Sequence, residues 1–130
     1  MGFLVPKSPA STATTKRIGD AAEEQALHYL QSQGLRLVVR NYRTPGRGGG
    51  EIDLIMHAPD GTLVFVEVRK RSTVRHGGAG ASVSSVKQRR IVFAARHYLL
   101  RLGAPPPCRF DVVLIESGAV QWLQAAFDAA

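Results

Sequence analysis

Two short segments hold the acids best placed to do chemistry. Gly50-Glu51-Ile52-Asp53-Leu54-Ile55 and Val64-Phe65-Val66-Glu67-Val68-Arg69 set carboxylates among β-branched and aromatic residues, with Pro59-Asp60-Gly61 between them. That pattern predicts a β-hairpin with strands over Glu51–His57 and Leu63–Lys70. A two-residue Asp60-Gly61 loop would make paired residue numbers sum to 121 and send Asp53 and Glu67 to opposite faces. A three-residue loop with Gly61 in the left-handed position makes the sum 120. In that register Asp53 faces Glu67 and Glu51 faces Arg69, while Ile52, Leu54, Met56, Val64, Val66 and Val68 share one apolar face. The cleaner sorting of faces favours 120.

Carboxylates directly across a sheet repel. A shared cation relieves the repulsion, either a divalent metal or Arg69. Hard oxygen ligands suit Mg²⁺ or Mn²⁺, with water and a substrate phosphate completing the sphere. A metal held by Asp53 and Glu67 would stabilise charge at phosphorus and generate a hydroxide nucleophile. The competing structural readings are a cluster neutralised by neighbouring arginines, or one carboxylate held protonated.

The cations are segregated from the acids. The chain carries 17 Lys plus Arg against 10 Asp plus Glu, a net charge of +7. Between Glu67 and Asp111 there is no acidic residue, yet that interval holds Arg69, Lys70, Arg71, Arg75, Lys87, Arg89, Arg90, Arg96, Arg101 and Arg109. A second acid-free stretch, Leu35 to Gly50, holds Arg36, Arg40, Arg43 and Arg47. Such segregation builds a positive surface suited to a polyanion, and arginine's planar fork matches phosphate. Nucleic acid is one partner such a surface suits, with Arg71, Arg75, Lys87, Arg89 and Arg90 as contacts; cations that serve only solubility are the other reading.

The elements that position these residues follow from periodicity and punctuation. Residues 1–16 mix Ser, Thr, Ala and Pro without period and are expected to be a disordered basic tail; residues 17–130 are expected to form a single α/β domain. Ile18 to Gln33 reads as a helix with Ile18, Ala22, Ala26, Tyr29 and Leu30 inward and Gly34 as its stop. Leu35 to Tyr42 reads as a strand, Thr44 to Gly50 as a loop, and Arg71 to Ala81 as a Gly-rich basic loop. Ser82 or Ser84 can cap a second helix reaching Leu102, with Ile91, Ala95, Tyr98 and Leu102 buried. Strands over Arg109–Ile115 and Val120–Leu123 complete the order α-β-β-β-α-β-β.

Several classes of function are excluded. The single cysteine, Cys108, leaves no internal disulfide or Cys-rich zinc module, and is expected to be a packed thiol. His28, His57, His76 and His97 show no ligand spacing. Gly77 to Gly80 lacks the phosphate-loop pattern and reads as a flexible linker. Asp111 could pair with a nearby arginine, while Tyr98 and Trp122 read as core. No apolar run approaches the ~20 residues of a membrane span, and Met1–Val5 is too short for a signal segment. A cytoplasmic protein without membrane contact is expected.

The acidic hairpin resembles the core of the PD-(D/E)xK nuclease superfamily. More closely, the chain resembles the YraN family of bacterial proteins, which are likened to archaeal Holliday-junction resolvases. Ala22-Glu23-Glu24, Arg40-Asn41-Tyr42-Arg43, Gly77-Gly78-Ala79, Lys87-Gln88-Arg89-Arg90 and Cys108-Arg109-Phe110-Asp111 support this over residues 17–128. The resemblance implies a restriction-endonuclease-like mixed sheet with flanking helices. It also implies Mg²⁺-dependent hydrolysis of phosphodiester bonds in DNA, and a homodimer making paired cuts. A non-catalytic DNA- or RNA-binding protein on a degenerate scaffold is the alternative. By this resemblance Asp53 and Glu67 are the metal-binding acids, Glu23 the acid of the first helix with Glu24 its rival, and Gln88 part of the second helix's polar start. The superfamily motif ends in lysine, whereas this chain has Arg69, whose guanidinium does not give up its proton. Arg69 could still orient water or hold phosphate, and strand alternation turns Lys70 to the other face.

Overall fold

The computed structural model describes residues 15–71 and 83–129. Its elements are α1 (Thr15–Ser32), β1 (Arg36–Arg43), β2 (Glu51–His57), β3 (Leu63–Arg71), α2 (Ser85–Leu99), β4 (Cys108–Glu116) and β5 (Ala119–Phe127). The order is the expected α-β-β-β-α-β-β, and the strands lie side by side as β1-β2-β3-β4-β5. Neighbours pair antiparallel except β3 and β4, which run parallel because α2 carries the chain back across the sheet. The expected tail lies outside the described residues up to residue 14, but Thr15 and Lys16 open α1; the Gly77–Gly80 linker, Arg75, His76 and Ser82 also lie outside.

Each face of the sheet carries one helix. Ala26, Leu27 and Leu30 of α1 pack on Leu54, Met56, Val64, Val66, Val113 and Ile115. Ile91, Val92, Ala94, Ala95 and Tyr98 of α2 pack on Ile55, Leu63, Phe65, Phe110, Val112 and Leu114 on the other side. The alternation of β3 and β4 therefore serves both layers, since successive side chains point to opposite faces. α1 ends where Gly34 adopts φ 97° and Leu35 N–H donates to the Leu30 carbonyl at 3.1 Å, satisfying a terminal acceptor.

The hairpin takes the expected register. His57 pairs with Leu63, Met56 with Val64, Ile55 with Phe65 and Leu54 with Val66. Gly61 holds φ 93°, which a residue with a Cβ reaches only under strain. One expectation about faces fails. Ile52 joins the α2-side core rather than lying with Leu54 and Met56. Asn41 has φ 53° between the pairs Arg40–Leu54 and Tyr42–Ile52, so β1 and β2 twist there and reverse which side they present.

β5 is longer than the expected Val120–Leu123, running to Phe127 across a register shift opposite Phe110–Val112. Asp111, wholly buried, holds that irregularity: its carboxylate accepts from Arg109 through two nitrogens at 2.9 and 3.0 Å, from Trp122 Nε1 at 2.9 Å and from Ala125 N–H at 2.9 Å. The expected arginine pairing is thus one part of a structural clamp. Cys108 is exposed rather than packed, its thiol donating to the Pro106 carbonyl at 3.3 Å.

Candidate active site

The acidic centre forms where β2 and β3 stop pairing. The ladder ends at Leu54–Val66, and beyond it Asp53 Oδ2 accepts the Val68 backbone N–H at 2.8 Å. A side-chain carboxylate thus takes the place of the next backbone acceptor, and the strands part around it. Asp53 and Glu67 are both buried, at 8 and 7% exposure. The same twist that redirects Ile52 brings Asp53 into hydrogen-bonding reach of Glu67 on β3 and of Glu23 on α1. Glu24, the rival acid, faces outward and pairs with Arg40 and His28 at 3.0 Å each.

Three acids this close cannot all ionise freely. Burial first, then the Asp53 charge, push the Glu67 carboxyl up to about 8, against the opposing pull of Lys87. Burial and Asp53 push Glu23 up to about 7. Burial also raises Asp53, while the Val68 N–H favours its ionised form. Glu23 Oε1 is buried without a hydrogen-bond partner, an oxygen with acceptor capacity to spare.

The cluster opens onto positive walls. A cleft of about 490 Å³ is lined by Glu67, Arg69, Ser84 and Lys87. A smaller one of about 190 Å³, lined by Glu51, Lys87, Arg90 and Ile91, shares Lys87 with it. Lys87 Nζ stands 3.5 Å from Glu67 Oε2. The start of α2 is held in place by Ser84, whose hydroxyl accepts the Lys87 N–H at 3.1 Å, and by Gln88 Nε2, which donates to the Val83 carbonyl at 2.8 Å. Gly50 permits the close approach of this helix to β2: a Cβ there would lie 1.9 Å from the Arg90 carbonyl oxygen.

The structure brings together Glu23, Asp53, Glu67, Arg69 and Lys87 and leaves the other expected residues elsewhere. Gln88 ties down the chain entering α2. Arg71 lies in β3, not in a loop, and pairs with Glu116 at 3.5 Å. Arg90 donates to the Gly49 carbonyl at 3.3 Å at the cleft edge, and Arg89 is exposed on α2 beside a different groove. Glu51 meets Arg43 at 3.4 Å instead of Arg69, because the ladder that would have opposed them has ended. The contact between Lys87 and Glu67 was not legible in strand spacing, since it crosses from one element to another.

The donor set fits a hard divalent cation of limited protein ligation. Among the described residues no three His, Cys, Asp or Glu side chains converge at metal-ligand spacing. Asp53 and Glu67 would supply two carboxylates, and Mg²⁺ characteristically keeps waters and takes substrate phosphate in its other positions. The raised carboxyls and the orphaned Glu23 oxygen are what such a cation would relieve.

Comparison with known proteins gives the family. The model of "Uncharacterised protein family UPF0102" matches residues 22–115. A "UPF0102 protein" of Albidiferax ferrireducens is 69% identical over 127 residues, covering 98% of this chain and 99% of that one. A "UPF0102 protein" of Paracidovorax citrulli is 67% identical over 124 residues, covering 95% of this chain and 92% of the relative. A solved structure titled "Crystal structure of SSO0001" overlays 91% of this chain and 56% of its own at a TM-score of 0.45 and 14% identity, too remote to bear on function. With the family model matching from α1 into β4 and relatives this similar along nearly the whole chain, the protein belongs to the UPF0102, or YraN, family.

Proposed function

We propose that this protein binds DNA and hydrolyses its phosphodiester bonds with Mg²⁺ or Mn²⁺, using a site of the PD-(D/E)xK nuclease type. The observation that carries the reading is the cluster of buried Asp53 and Glu67 with half-buried Glu23, from which Glu67 reaches a cationic cleft. Asp53 and Glu67 would hold the cation, which would supply Lewis-acid charge at the phosphate. Glu23 hydrogen-bonds Asp53 and sets its orientation. Arg69 borders the cleft and steadies a phosphate there, while Arg89 and Arg90 extend the positive surface along α2. Arg75 is a further contact by sequence. A homodimer in the cytoplasm would set two such sites for paired cuts; among the described residues no helix is long and apolar enough to cross a membrane.

Arg69 at the motif-lysine position favours a second reading, a DNA- or RNA-binding protein that has lost catalysis. Incubation of the protein with branched, duplex and single-stranded DNA plus Mg²⁺ or Mn²⁺, beside an Asp53→Ala control, separates the two. Metal-dependent cleavage that the control lacks supports hydrolysis. Equal cleavage by both proteins means contamination. Binding that weakens log-linearly with salt, without cleavage, establishes the second reading.

A further inference from the structure

We infer that Lys87, reaching in from α2, supplies the ammonium that β3 lacks at Arg69, and so acts at the reacting phosphate. The inference rests on the hydrolytic reading above and names a residue for it. Three observations carry it: a contact, an exposure and a fixed position.

The contact is the 3.5 Å approach of Lys87 Nζ to Glu67 Oε2. Glu67 is the acid two residues before Arg69 on the same strand, so the ammonium arrives beside the carboxylate next to which a motif lysine would stand. The exposure is asymmetric, the Lys87 side chain being 42% accessible against 8% for Glu67. The ammonium meets Glu67 while the side chain borders the cleft, where a phosphate oxygen would take a second of its three donors. A lysine serving only to neutralise a buried acid would gain by turning its whole head inward.

The backbone from which the lysine reaches is held in place. Ser84 caps the helix on the Lys87 N–H, Gln88 fastens the preceding turn, and Gly50 lets the helix sit against β2. Lys87 also borders both clefts, with Glu67 and Arg69 in the larger and Glu51 and Arg90 in the smaller. A phosphodiester chain crossing from one to the other must pass it. Arg69 lines only the larger cleft, and its delocalised fork suits holding a phosphate more than serving as a compact point charge.

The test is chemical rescue. Lys87→Ala should lose cleavage by about 100-fold or more, while Mn²⁺ affinity, read by electron paramagnetic resonance, stays within about fivefold, the reach of a half-exposed ion pair. Lys87→Cys in a Cys108→Ser background should be equally inactive. Treatment with 2-bromoethylamine lets the new thiolate displace bromide, forming a C–S bond and restoring an ammonium at nearly lysine length. Recovery of cleavage supports the inference. A treated protein that folds and binds Mn²⁺ but stays inactive overturns it, as does a Lys87→Ala protein as active as wild type. Absence of cleavage by wild type overturns the hydrolytic reading as well, and is distinguished by needing no variant to see it.

Discussion

Glu67→Gln should make the metal-free protein more stable, and by an amount that depends on pH. The carboxyl is carried from an ordinary 4.5 to about 8 in the folded chain. Below the unfolded value it is protonated in both states, and its stabilising contribution is fully present. As pH rises the unfolded chain ionises first, so stability is progressively lost until the folded carboxyl also ionises near pH 8. At about 1.4 kcal/mol per unit, the whole displacement corresponds to roughly 5 kcal/mol. Asp53 and Glu23 share the same protons, so replacing Glu67 alone should recover about half, or roughly 2–3 kcal/mol at pH 8. For a chain of this size that is an upward shift in Tm of about 6–12 °C, shrinking toward zero at pH 4. Thermal unfolding in chelator-treated buffer across pH 4–9 measures it. Saturating Mn²⁺ should then stabilise wild type but not the variant, reversing their order. A glutamine variant less stable than wild type at pH 8, or displaced equally at all pH values, would refute the account of the cluster as an electrostatic strain held for a cation.

Two further substitutions probe the scaffold. Asp111→Ala should destabilise by about 3–5 kcal/mol, because it strands the Arg109 guanidinium together with the Trp122 and Ala125 N–H groups that the carboxylate satisfies. Urea unfolding reads the loss, and hydrogen exchange should localise the opening to β5. Gly50→Ala should cost about 1–3 kcal/mol by overpacking, since its Cβ would meet the Arg90 carbonyl. That variant should also weaken cleavage in step with displacement of Lys87 from Glu67, while Asp111→Ala should leave the cleavage of the folded fraction unchanged.

The hairpin shows how far local rules reach. Alternation of apolar residues and one positive-φ glycine were enough to choose between registers, and the register brings Asp53 and Glu67 to neighbouring strands. The same rules misplaced Ile52 and Glu51, because strict alternation presumes an unbroken ladder. The break arises from Asn41 on a neighbouring strand and from a carboxylate that takes a backbone donor for itself. β5 was cut short for a related reason: Gln124-Ala125-Ala126 carries no strand signal, and Asp111 holds it in place from a different strand.

From the chain alone come the element order, the separation of acids from cations, and the choice of Asp53, Glu67 and Glu23, since these depend on residue types and short-range periods. Tertiary structure decided which cation meets those acids. Lys87, 20 residues beyond Glu67, makes a 3.5 Å contact with it because Gly50, just before β2, lets α2 settle close to the sheet. Pattern along a strand is a property of one segment; the meeting of a helix terminus with a strand carboxylate depends on how two layers pack, and no segment carries that distance by itself.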